Sequence, residues 1–199
     1  MGAPVAIVAG YLEGNPVGGH VLSILHWFAG LRRLGYDVVF VEHHGWPDAC
    51  WNPLTRTLSD DPTYGLDELS SHAARLGLRD WCFVDQQDHY HGMTRVELEA
   101  LCGSAEVLIG LWTVTWLEAF HSCRRRIFID TDPGFTQFAM DPKVRSRPGY
   151  ASPMDFHEHF TYGARIGQPD CPIPTLGARR ARTPPLIIRS VRAVRSAGP

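Results

Sequence analysis

Hydrophobic and polar positions alternate along this chain with two periods. Residues 4–9, "PVAIVA", form a short unbroken apolar run of the kind that makes a strand buried on both faces. Residues 20–34 then place Val21, Ile24, Leu25, Phe28, Leu31 and Leu34 on one stripe at helical spacing, and Gly35 follows as a helix stop. "DVVFVE", 37–42, is a second buried-strand run. Strand, helix and strand at this spacing predict a right-handed βαβ unit with parallel strands.

The alternation continues. A stretch rich in Pro, Trp, His and Asp at 43–64 predicts a long loop. Residues 65–78 predict a helix and 81–85 a strand. Residues 94–105 predict another helix, with Thr94 as N-cap and Glu97 completing a capping box. "EVLIGLW" and "RIFIDTD" are two further strands, separated by "TVTWLEAFHSCRR". Beyond residue 133 the pattern weakens to a turn-rich loop with one short helix, a late strand within "FHEHFTYGARIG", and an extended "PDCPIPTLG". The expected fold is α/β: a Rossmann-like open parallel sheet with helices on both faces.

Composition narrows the functional classes. The 199 residues are 44% hydrophobic, enough for one well-packed domain. A formal net charge of -2 provides no global basic field for nucleic acid. No apolar run reaches the roughly 18 residues of a membrane span, and the N-terminus lacks the marks of a signal peptide. Cys50, Cys82, Cys102, Cys123 and Cys171 include no C-x-x-C pair, as expected of reduced, mostly buried thiols in a cytoplasmic protein. Charge is uneven: residues 178–199 hold six arginines and no acid.

In open α/β sheets, ligands bind beyond the carboxyl ends of the strands. Four segments are expected there: the 10–20 loop, the 43–52 loop, Trp112-Thr113, and Asp130-Thr131-Asp132. Gly18-Gly19-His20 opens the first helix, where free backbone N–H groups can hold an anion or an oxygen-rich ligand. The positive helix end should keep His20 neutral and available as a general base; the competing reading is a turn followed by a helix-start histidine. "AGYLEGNPVGGH" lacks the compact G-x-G-x-x-G dinucleotide spacing. Glu42, at the end of the second strand, stands where a dehydrogenase places its ribose-binding acid, but without that glycine pattern a nicotinamide oxidoreductase is not favoured. His43-His44 and the pair His157 and His159 suggest metal ligands, yet neither follows a helical or cysteine-based zinc spacing, so no metal is expected. Asp130 and Asp132 put two carboxylates at a strand end, in what also reads as an ordinary turn. Trp46, Trp51 and Trp112 could line a sugar or aglycone pocket, or belong to the core.

"NPVGGHVLSILHWFAGLRRLGYDVVFVE" resembles the first βαβ unit of GT-B glycosyltransferases, which carry a glycine-histidine loop after strand one. Tyr36 stands where that family usually has histidine after the glycine. "RIFIDTDPGFTQ" followed by "FHEHFTYGARIGQPDCPIPTLG" further resembles bacterial family-1-like members, and the likeness spans roughly residues 4–177. It implies a two-domain enzyme: an acceptor-binding N-terminal domain and a C-terminal domain binding a nucleotide-sugar donor, with no metal or other cofactor. His20 matches the family's catalytic base, and Asp130 or Asp132 would orient it, since "LWTVTW" offers no acid. Gly18, Gly19, His43, His44, Trp46, Trp112 and Thr113 would contact substrate. Residues 1–177 would form the acceptor-side domain and 178–199 an arginine-rich tail at the possible start of a truncated or frame-shifted second domain, so that this chain alone is expected to be inactive. The alternative is a non-catalytic α/β module that binds a partner protein or a small ligand.

Overall fold

A computed structural model describes residues 2–76, 80–112, 115–139, 155–175 and 181–182. Its centre is an eight-stranded sheet. The strands and helices run in the order β1 (Val5–Ala9), α1 (Gly18–Arg33), β2 (Asp37–His43), β3 (Cys50–Asn52), β4 (Thr57–Ser59), α2 (Thr63–Leu76), β5 (Trp81–Val84), β6 (Tyr90–His91), α3 (Arg95–Ser104), β7 (Val107–Leu111), a 3-10 turn at Glu118–Ser122, β8 (Arg126–Asp130), α4 (Phe135–Ala139), β9 (Glu158–Thr161) and β10 (Ala181–Arg182). The sheet order is β10-β9-β8-β7-β1-β2-β5-β6. All neighbours are parallel except β5 and β6. With β6 and β10 set aside, this is the doubly wound order 3-2-1-4-5-6, which reverses direction between β1 and β7.

The pleat of the strands sorts the core. Ala6 and Val8 of β1, with Val38 and Phe40 of β2, pack with Ile24, Phe28 and Leu31 of α1 and Leu69 and Ala73 of α2. The intervening residues Ile7, Ala9, Val39 and Val41 face the other way, in a cluster with Leu98 and Cys102 of α3, Phe120 and Phe128. The apolar stripe read from residues 20–34 is thus the buried face of α1, and the period-2 alternation within β1 and β2 supplies both layers. The structure is an open, mostly parallel α/β sheet flanked by helices. Among the described residues, no helix is long and apolar enough to cross a membrane.

Three details differ from the sequence reading. The 43–64 segment holds an antiparallel hairpin, β3–β4, whose reversal passes through Arg56 at φ 58°. Its strands are three residues long, too short for a period-2 signal. The two-residue edge strand β6 is below any such threshold too. Between β7 and β8 the described residues form a 3-10 turn at Glu118–Ser122 rather than an α-helix. By contrast, α3 begins as expected: Thr94 accepts from the Glu97 amide, and Glu97 in turn accepts from the Thr94 amide. Ala181–Arg182 of the arginine-rich segment pairs with β9; residues 178–180 and 183–199 lie outside the described residues.

Candidate functional site

The carboxyl ends of β1, β2 and β7 meet at the point where strand order reverses, and the loops leaving them build the site. The 10–17 loop is fixed from below. Glu42, fully buried at the end of β2, accepts hydrogen bonds from three consecutive backbone amides, those of Leu12 (2.7 Å), Glu13 (2.7 Å) and Gly14 (3.1 Å). Its other buried partner is His44, whose Nε2 lies 2.7 Å from Glu42 Oε1. His44, the residue after β2, lies on the same side as Glu42 two residues before it, whereas His43 lines the recess on the α3 side. With its carboxylate committed in this way, Glu42 has little capacity left for ribose hydroxyls. The loop also accepts at the Gly10 carbonyl from the buried Thr115 hydroxyl (2.6 Å), which ties it to the segment after β7.

Above this floor sits an aromatic cluster. His20, in the first turn of α1, lies 5.3 Å from the Trp112 ring and 6.5 Å from Tyr11, centroid to centroid. Tyr11 packs in turn on His44 (5.1 Å) and Trp46 (6.1 Å), and its hydroxyl donates to the Ala49 carbonyl. Trp112, the residue after β7, has φ 66°, in the left-handed region that a bulky side chain avoids. Backbone strain of this kind costs about 1–3 kcal/mol and collects at ligand-binding positions. Gly18 and Gly19 lie exposed at the start of α1, with open space where a side chain would stand. Among the described residues, no side chain caps this helix end. His20 is half-buried, and burial holds its imidazole below the ordinary histidine value, opposed by the weaker pull of the Glu42 charge. The Asn15 amide nitrogen lies 3.3 Å from His20 Nδ1. Histidine and asparagine orientations are exchangeable, and the form with the Asn15 carbonyl turned to Nδ1–H leaves Nε2 free to take a proton.

The structure therefore brings Gly18, Gly19, His20 and Trp112 together at the start of α1, with His44 and Trp46 connected to them through Tyr11. Asp130 is elsewhere: fully buried at the end of β8, it accepts from Gln137 Nε2 (2.8 Å) and the Thr161 hydroxyl (3.0 Å). That network holds β8, α4 and β9 together. Asp132 is exposed in the turn before α4, where its carbonyl accepts from the Thr136 amide. Thr113 lies outside the described residues. Trp51 pairs with Leu58 in the hairpin, and its amide donates to the Gly14 carbonyl. His157 Nδ1 accepts from the Arg126 amide beside β9, and the His159 ring contacts Phe128.

His43 belongs to a recess about 620 Å³ in volume on the α3 face of the sheet. Its walls include Tyr90, Arg95, Glu99, Trp116 and His121. Burial also holds His43 below the ordinary value, and its Nδ1 is buried with no hydrogen-bond partner among the described residues.

Sequence reasoning missed Tyr11, Glu13 and Cys50. Glu13, within the 10–17 loop, is fully buried, and burial, reinforced by the neighbouring Glu42 charge, pushes its carboxyl up to about 9. Cys50 is buried beside it. These residues come from two segments, the 10–17 loop and the start of β3, so no local spacing marks them; the signal within reach was Glu42, an acid near the end of an otherwise apolar strand. No protein-family model matches the chain, and no curated protein matches it significantly.

Proposed function

We propose that the chain is the acceptor-side domain of a sugar-transfer enzyme, in which neutral His20 takes the proton of an acceptor hydroxyl as that oxygen attacks the anomeric carbon of a nucleotide-activated sugar and the bond from that carbon to the nucleotide phosphate breaks. The observation that carries this reading is the position of His20: half-buried at the strand-order reversal, its value lowered by burial, and packed beside the strained Trp112 next to the exposed Gly18 and Gly19. A neutral imidazole is the form that accepts a proton. An indole ring offers a flat apolar surface to the C–H face of a sugar or aglycone. The likeness of residues 15–42 to the first βαβ unit of GT-B enzymes supports the same assignment. Against a dinucleotide enzyme stand the missing glycine fingerprint and the committed Glu42 carboxylate.

Orientation of His20 would fall to Asn15, its hydrogen-bond neighbour, and the Glu42 charge would stabilise the imidazolium as it forms. Asp130 is tied into the β8–β9 network and Asp132 into the turn before α4, which makes both less suited to that role.

The test is ligand binding followed by tryptophan fluorescence with a panel of aryl glycosides, free sugars and hydroxylated aromatic alcohols. Saturable quenching is expected with at least one of these classes, weakened about tenfold or more in Trp112→Ala and in His20→Ala. Because burial lowers the His20 value, the imidazole stays neutral at pH 7 and gains its proton only below the usual histidine range of about 6.5. Binding through the neutral ring is therefore expected to hold constant above that range and to weaken as pH falls beneath it. A midpoint above 6.5, or saturable NADH binding, counts against the proposal.

A second reading, a non-catalytic module for a small ligand, draws on the recess around His43. Its volume falls within the range of small-molecule pockets, and Arg95, Glu99 and His121 provide polar contacts in its wall. Binding that survives His20→Ala and is lost in Arg95→Ala would favour it.

A further inference from the structure

We infer that Glu13, His44 and Cys50 form a binding site for a zinc-class divalent cation that staples the 10–17 loop to the end of β2 and the start of the β3–β4 hairpin. The argument rests on spacing. His44 Nδ1 lies 3.5 Å from Glu13 Oε2, and Cys50 Sγ lies 3.8 Å from each of them. The nitrogen–oxygen separation is too long for a good hydrogen bond. It suits a shared cation: zinc bonds of about 2.0 Å to oxygen, 2.0–2.1 Å to nitrogen and 2.3 Å to sulfur place ligand atoms about 3.3–3.6 Å apart at tetrahedral angles. A contraction of a few tenths of an ångström would complete the geometry.

Two further observations point the same way. Glu42 Oε1 sits 2.7 Å from His44 Nε2. A carboxylate that accepts the outer N–H of a histidine fixes its tautomer and aims the other nitrogen's lone pair at the metal. Here that lone pair, on Nδ1, faces Glu13 and Cys50. Moreover, Glu13 Oε1 is fully buried with no hydrogen-bond partner among the described residues, and no arginine or lysine among them forms an ion pair with Glu13. A carboxylate so deeply buried needs a compensating positive charge or must carry a proton. A divalent cation supplies that charge, and Glu13 Oε1 or a water is available for the fourth position.

Donor chemistry selects the class of ion. One thiolate and one imidazole favour zinc and its neighbours over magnesium or calcium, which prefer oxygen. On binding, the Glu13 carboxyl and the Cys50 thiol each release a proton to solvent, so the cation and two anionic ligands balance in charge. All three ligands are less than a tenth exposed, which excludes substrate and gives the ion a structural rather than catalytic part. Gly14 belongs to the design: a side chain there would overlap the His44 ring.

The test uses the full chain, stripped with chelator under reducing conditions and then titrated with zinc chloride and, separately, cobalt(II) chloride. Expected are one zinc bound per chain and a cobalt spectrum with the near-ultraviolet thiolate charge-transfer band and the intense visible bands of a four-coordinate site. Cys50→Ser should lose the charge-transfer band and bind zinc at least 100-fold more weakly, whereas Cys171→Ser should match the wild type. Cys50→Asp, which keeps an anionic ligand, should still bind cobalt but without that band. No zinc uptake by the wild-type chain would overturn the proposal, as would a cobalt spectrum unchanged by Cys50→Ser; both results would leave Glu13 as a buried protonated acid.

Discussion

Replacing Glu42 with alanine is expected to cost the fold about 3–5 kcal/mol, the range for breaking a buried charged network from one side. The carboxylate holds three successive amides and the His44 ring, and all of these partners are buried. Alanine leaves three N–H donors without acceptors, each worth about 1–3 kcal/mol when stranded away from water. Domains of this size have about 5–15 kcal/mol in total, so the variant should unfold at much lower denaturant concentration than the wild type. Glu42→Gln keeps one oxygen acceptor and should fall between the two. Urea denaturation followed by circular dichroism measures both. A loss under about 1 kcal/mol would mean that the 10–17 loop is held by something other than this carboxylate.

The second large effect is expected at Gly65, in the first turn of α2. Helix propensity alone predicts that Gly65→Ala stabilises the protein by up to about 1 kcal/mol. The tertiary contact predicts the reverse. A Cβ at this position would overlap the Glu13 carbonyl oxygen and come within 2.8 Å of the carbonyl carbon. These are backbone atoms, and Glu42 pins the same loop, so neither partner can swing away. Overpacking of this kind costs about 1–3 kcal/mol and sometimes more. A net loss of about 1–2 kcal/mol is expected by the same denaturation measurement. The two substitutions should also couple: once Glu42→Ala releases the loop, Gly65→Ala should become nearly harmless. A stabilised Gly65→Ala variant would show that α2 and the loop sit further apart than the structure places them.

Gly65 and Glu42 also mark the boundary of what the sequence discloses. The layers were legible because their signals are periodic and local. The stripe from Val21 to Leu31 found α1, the runs at 4–9 and 37–42 found β1 and β2, and Thr94 with Glu97 marked the start of α3. Gly18, Gly19, His20 and Trp112 were legible as strand-end residues, since a parallel sheet gathers such ends on one edge. What stayed hidden was made by contacts distant in sequence. Nothing around Glu13, His44 or Cys50 indicates that they converge, because the contact that brings the start of β3 to the 10–17 loop is long-range, as in the Trp51 amide that donates to the Gly14 carbonyl. In the same way, Asp130 reads as a strand-end acid, and its hydrogen bonds to Gln137 and Thr161 become evident only when β9 lies beside β8. His43 and His44 are adjacent in sequence yet serve opposite faces, one lining the recess near Trp116 and the other the buried cluster.

The account turns on where a ligand enters this sheet. The most direct measurement is a map of backbone-amide chemical-shift changes in the isotope-labelled chain, titrated with the tightest-binding glycoside or alcohol of the panel. Perturbations are predicted to centre on residues 10–20 and on Trp112, at the reversal of strand order, with the His20 ring signals shifting at the same ligand concentration. A map centred instead on His43, Arg95 and His121, with His20 unmoved, would contradict the assignment of the region around His20 and Trp112 as the acceptor site.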